Sequence, residues 1–282
     1  MRAALVGLFL FAAATSMAQT LTVRAAFKSR YTPQEYPIAL LKFILNKSGV
    51  PYTFTFADVG VMTQAREVAL LKDNDRINVG WFGTSAELEQ DLVPVRYPIW
   101  RGLLGHRVFI INKNSQAQFD QVNTLDDLSR FTGEQGIGWA DVQILEAAGL
   151  PQNESAYDTI FAKINAGRSD YFARGITEAF HEIGTIGKNF SNLVVERHVL
   201  LVYPFAAFFF TNKQNPELAK AIEDGFRKAY ADGSFLKFFH AHPEVKAVLD
   251  NANLKGRVRI EIPNPLLTPE TRAIPEIYWD ER

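Results

Sequence analysis

The sequence predicts an α/β protein of two lobes, each a mostly parallel sheet flanked by helices, joined by two hinge crossings. Three observations predict it. Residues 21–79 alternate strand and helix patterns as βαβαβ, and a similar alternation returns over 124–173. Two long apolar strands, Gly102 to Ile111 and Val199 to Thr211, then read as the chain leaving one lobe and coming back. A length of 282 residues also exceeds a comfortable single small domain.

Taken in order, the chain opens with an export signal over residues 1–18. Arg2 supplies the positive start, Ala3 to Ala14 the apolar stretch, and Ser16-Met17-Ala18 a small-x-small cleavage site. That stretch is too short to span a bilayer, and no later segment approaches ~20 apolar residues. There are no cysteines, hence no disulfide, no thiolate metal site and no cysteine to carry a lipid. A soluble exported protein without a lipid anchor is expected, most simply in a bacterial periplasm. Net charge is −1, so nothing electrostatic points to nucleic acid or to an acidic membrane surface.

Leu21 to Phe27 reads as a strand running into the polar loop Lys28 to Pro33. Tyr36 to Lys47 has helical apolar spacing and stops at Gly49; Tyr52 to Phe56 alternates as a strand. Thr63 is placed to cap a helix to Lys72 whose buried face would be Ala65, Val68 and Leu71. The strand at Ile77 to Val79 ends in Gly80-Trp81-Phe82-Gly83-Thr84-Ser85, where glycines allow backbone N–H groups to approach a solute. In the second alternation, Asp141 is read first as a helix cap, and Tyr157 to Ala166 as a helix ahead of the strand Tyr171 to Ala173. Asn215-Pro216-Glu217 starts a long helix that Asp232-Gly233 ends. The tail carries a strand-like run at Val258 to Ile262 and then proline-rich coil. Lobe 1 is expected over 19–105 and 203–282, lobe 2 over 106–202.

Parallel sheets of this kind take ligands at the carboxyl ends of their strands. Trp81, Phe82, Trp100 and Trp139 are candidate stacking walls, and Thr84 and Ser85 candidate hydroxyl donors. Arg66, in the first turn of its helix, could grip a carboxylate or phosphate beside free N–H groups. Glu178 and His181 share a helix at i, i+3, but no further ligand completes a metal site, and a solvated helix face is expected there. No nucleophile elbow, phosphate-binding loop or His-Glu-x-x-His is present, and no cofactor is expected.

Four stretches together resemble the type II periplasmic solute-binding proteins, and among them the family 3 polar-amino-acid binders of ABC uptake systems. They are Val23-Arg24 with Tyr31, Thr63-Gln64-Ala65-Arg66, Gly136 to Asp141, and Phe205 to Thr211 with Pro216-Glu217-Leu218 and Asp232-Gly233. The resemblance implies a type II periplasmic-binding-protein fold that closes on one small-molecule solute. It also implies a monomer, handing the solute to an inner-membrane ABC permease or presenting its closed form to a sensor protein. An enzyme on the same frame, with Glu178, His181 or Asp141 as acid–base groups, is the further alternative. Residue chemistry and resemblance together give the candidate ligand set Lys28, Tyr31, Arg66, Trp81, Phe82, Thr84, Ser85, Trp100, Trp139, Asp141 and Arg174. Three departures matter. Glu87 or Leu88 stands where relatives carry an arginine, Gly175 beside Arg174 where they carry an aspartate, and Lys28 where an aspartate is frequent. The zwitterion clamp of an amino-acid site is therefore absent, and a pocket made more positive, fit for an anionic or strongly polar solute, is expected.

Overall fold

A computed structural model of the chain describes residues 20–26, 35–60 and 62–279; the export segment and the loop bearing Lys28 and Tyr31 lie outside the described residues. The first lobe begins with β1 (Leu21–Ala26), which pairs in parallel with β2 (Tyr52–Ala57) and with β3 (Val79–Gly83). Helix Glu35–Ser48 packs its stripe of Tyr36, Leu40, Leu41, Ile44 and Leu45 into the core, the spacing that places one helix face on a sheet. Thr63 caps helix Gln64–Asp73 as expected, its hydroxyl accepting the Arg66 N–H at 3.3 Å. The short β4 (Val93–Val95) follows.

The second lobe holds β5 (His106–Asn112), β6 (Gly133–Gly136), β7 (Gln152–Ser155), β8 (Tyr171–Gly175), β9 (Leu193–Val195) and β10 (Val199–Val202). The chain then returns to the first sheet as β11 (Ala207–Thr211) and later reaches the second again as β12 (Val258–Glu261). Strand orders are β2-β1-β3-β11-β4 and β12-β10-β5-β8-β6-β7, with β9 also on β5. Strands linked by helices pair in parallel, whereas the crossing strands β5 and β11 run antiparallel to their neighbours. Both sheets are therefore mixed, because a strand entering from the other lobe comes in against the direction of the βαβ units.

The run Val199 to Thr211, read from sequence as one strand, is two. Tyr203 to Ala206 separate β10 from β11, and Pro204 has no N–H with which to continue a ladder. Here the two crossings lie back to back: the Tyr203 N–H donates to the Gly105 carbonyl at 3.1 Å. A Cβ at Gly105 would stand 1.9 Å from the Tyr203 carbonyl oxygen, so only glycine lets the segments touch.

The tail makes a third crossing. β12 adds in parallel to β10 at the outer edge of the second sheet, although the sequence placed the whole tail with the first lobe. Arg257, just before it, donates to the Val199 carbonyl at 3.1 Å and pairs with Glu196 at 3.4 Å. Residues 262–268 then cross back to lobe 1. There the Glu89 carboxylate accepts hydroxyls from Thr84 (2.6 Å), Thr271 (2.7 Å) and Thr268 (2.8 Å) and an N–H from Arg96 (2.8 Å). Burial alone would push Glu89 up, but these four bonds hold its carboxyl below the ordinary range.

Candidate functional site

A cleft of about 1440 Å³ opens between the lobes. The carboxyl ends of β3, β6 and β8 all reach it, as an open α/β sheet dictates. Lobe 1 contributes Trp81, Ser85 and Trp100; lobe 2 contributes Arg107, Trp139, Asp141, Arg174 and Glu178; the third crossing contributes Pro265 to Pro269. The Trp81 and Trp139 turns thus face one crevice. Gly136 lets the Trp139 ring fold over the end of β6, where a Cβ would lie 2.4 Å from it.

The floor on the lobe 2 side is a buried ion cluster. Arg107 on β5 pairs with Asp141 at 2.7 Å and Glu178 at 3.5 Å. Arg174 on β8 pairs with Glu178 at 3.0 Å and grips Glu182 with two nitrogens, at 2.7 and 2.9 Å. The Tyr203 hydroxyl donates to Asp141, and that of Tyr157 to Glu182 at 2.8 Å. The planar faces of the guanidiniums are covered as well: Arg107 sits 5.2 Å from the Tyr203 and Phe205 rings, and Arg174 4.8 Å from Trp139 and 5.1 Å from Phe172. Such depth is tolerable for cations only because each has a carboxylate partner. Two arginines meet three carboxylates, and burial pushes the Glu178 carboxyl up against the opposing pull of Arg174 and Arg107.

These contacts correct several expectations. Arg174 adds no free positive charge to the cleft, since the residue is 3% exposed and its guanidinium is spent on Glu178 and Glu182. Asp141 is not the helix cap: Trp139 holds that position, and Asp141 lies in the first turn of Ala140–Ala147 with its carboxylate on Arg107 and Tyr203. Helix Ile176–Thr185, expected to present a solvated face, buries Glu178 and Glu182, while His181 is exposed and joins no site. Arg107 and Glu182 were missed altogether. Their signals were an arginine inside the apolar run of β5 and a Glu178, Glu182 pair at i, i+4 following Arg174 by four and eight residues.

Glu67 was missed too. The helix Gln64–Asp73 buries Glu67 and Leu71, while Ala65 is exposed, so its inward face is turned from the one the apolar spacing indicated. Glu67 is 7% exposed, lines the cleft, and has no side-chain hydrogen bond or ion pair among the described residues. Burial pushes its carboxyl up to about 7.

The remaining predicted residues divide. Ser85 lies on the wall and caps helix Ala86–Asp91, its oxygen accepting the Leu88 N–H at 3.2 Å. Phe82 reaches the wall from a packed position 6.1 Å from Phe210, and Trp100 from one 4.2 Å from Tyr36. Thr84 is buried behind the wall, its hydroxyl given to Glu89. Arg66 is exposed and off the wall. Among the described residues no three His, Asp or Glu side chains form a metal-holding group, and no helix is long and apolar enough to cross a membrane.

No family model matches the chain, and no curated protein matches it. Solved structures do. An ancestral arginine-binding protein with arginine bound is 17% identical, with 78% of this chain and 96% of that one aligned at a TM-score of 0.54. A structure concerning glutathione import via GshT and the cystine ABC importer TcyBC of Streptococcus mutans is 16% identical, over 79% and 94%, at 0.54. A histidine kinase sensor domain with similarity to periplasmic binding proteins is 15% identical, over 78% and 94%, at 0.52. At such identities the likeness is one of architecture, and the architecture is the two-lobed type II periplasmic-binding-protein fold.

Proposed function

We propose that the protein is exported to the periplasm, binds one small polar solute between its lobes as a monomer, and delivers it to an inner-membrane ABC permease. The observation that carries this reading is the cleft itself, whose wall draws aromatic and charged side chains from both lobes. Its volume exceeds the roughly 300–1,000 Å³ of a small-molecule pocket, so a solute would be fully enclosed only once the lobes approach. Trp81, Phe82, Ser85, Trp100 and Trp139 are the proposed contacts, with Asp141 and Arg174 acting through the ion cluster beneath. The anionic solute left open by the sequence loses support, because both wall arginines are already neutralised. Closure would follow from the solute binding the closed form better than the open one.

A second reading, presentation of the closed form to a membrane signalling receptor, draws on the likeness to a kinase sensor domain. Catalysis on the same frame would use Glu178, a buried carboxyl on the cleft wall that burial pushes up against the pull of Arg174 and Arg107. The test is a thermal-shift screen of amines, amino acids, carboxylates and phosphonates, followed by small-angle scattering with the best solute. A true ligand at 100 times its dissociation constant adds about 2.7 kcal/mol of stability, and the particle should contract. Chemical conversion of the solute, lost in Glu178→Gln with binding intact, would replace transport by catalysis.

A further inference from the structure

We infer that the solute is an organic cation lacking a carboxylate, with the Glu67 side chain as its counter-ion; the inference rests on the solute-binding reading above and names its ligand class. Three observations lead there. First, the described wall offers no free guanidinium. Arg107 and Arg174 are both held by carboxylates and covered by aromatic rings. A solute carboxylate could reach either cation only by stripping away Asp141, Glu178 or Glu182 and stranding a buried acid, which is strongly unfavourable.

Second, Glu67 is the buried charged group on the described wall that lacks a partner there, and it faces the cavity from lobe 1, across from the ion cluster. Taking a carboxylate out of water without a counter-ion is costly, and an ammonium or guanidinium entering the cleft would remove that cost. The exposed acids Asp73 and Glu87 add negative potential along the same wall, against Lys72, which already pairs with Asp91 at 2.7 Å. Third, the wall carries Trp81 and Trp100 beside Trp139, whose ring already takes Arg174 at 4.8 Å, and tryptophan is the ring type that attracts cations best. An acid for the charge and indole faces for the surrounding methylenes or methyls suit an alkylamine, a guanidine or a quaternary ammonium.

The test is calorimetric titration of the full exported chain with putrescine, agmatine and choline, against L-arginine and succinate. At least one of the first three is expected to bind at least tenfold tighter than either carboxylate-bearing probe. Glu67→Gln, which keeps the side chain's shape, is expected to weaken that binding tenfold or more without lowering the thermal midpoint. Tightest binding by succinate or L-arginine overturns the inference and leaves solute binding standing. So does unchanged affinity in Glu67→Gln. If none of the cations binds, the inference falls; if the wider screen then finds no solute of any class, the binding function falls with it.

Discussion

Glu67 without its charge should make a more stable protein, and the gain should depend on pH. Burial raises its carboxyl from the ordinary 4.5 to about 7 in the folded chain. At about 1.36 kcal/mol for each tenfold change in the proton equilibrium, that rise amounts to about 3 kcal/mol. The sign follows from which state holds the proton. Below pH 4.5 the folded and unfolded chains are both protonated at this site, and it contributes nothing. Between 4.5 and 7 the unfolded chain releases the proton while the folded chain retains it, so stability falls as pH rises. Above 7 the loss is complete. Glu67→Gln removes the titration and keeps the volume. Urea unfolding followed by tryptophan fluorescence should therefore find the variant little different from the parent at pH 5 and about 3 kcal/mol more stable at pH 8. Other titrating groups, Glu178 among them, are common to both chains and cancel in the comparison. An equal gap at both pH values, or a less stable variant at pH 8, would refute the claim that this carboxylate is buried alone.

Two further outcomes test the frame. Arg107→Met removes the cation shared by Asp141 and Glu178 and should cost about 3–5 kcal/mol in urea unfolding; a loss below about 1 kcal/mol would mean that the cluster is solvated. Gly105→Ala sets a methyl group against the Tyr203 carbonyl, 1.9 Å away in the present packing. It should force the crossings apart, at a cost of about 1–3 kcal/mol or more, and small-angle scattering should show a wider particle.

The α/β alternation was legible because helices with an apolar stripe and strands with apolar runs signal themselves locally. Tyr36, Leu40, Leu41, Ile44 and Leu45 mark one helix face whatever lies beyond it. The division of Val199 to Thr211 was less so, since Val199 to Val202 and Ala207 to Thr211 are equally apolar and belong to different sheets. Only Pro204 hinted at the break. Trp81 and Trp139 could be placed at the cleft because each sits in a glycine-flanked stretch at the carboxyl end of a strand. The charged floor was not, because charge in a sequence reads as solvent exposure. Arg107, Arg174, Glu178 and Glu182 lie buried only by virtue of one another, on β5, β8 and the helix that follows β8. Pairing of that kind is a property of the assembled lobe. Glu67 hid for the opposite reason: its helix turns a polar side chain toward a cavity, where the spacing of apolar residues gives no guidance.

The returning tail bears on how such a molecule can flex. Two strands of backbone touching at one glycine make a pivot, free to bend and to twist. A third, anchored at one end in a sheet edge and at the other by threonine hydroxyls on Glu89, turns that pivot into a three-point suspension. Wringing motions would stretch the third strand, whereas a jaw-like swing need not. A single proteolytic nick within residues 262–268 would therefore loosen the torsional freedom of the two halves while leaving each half folded.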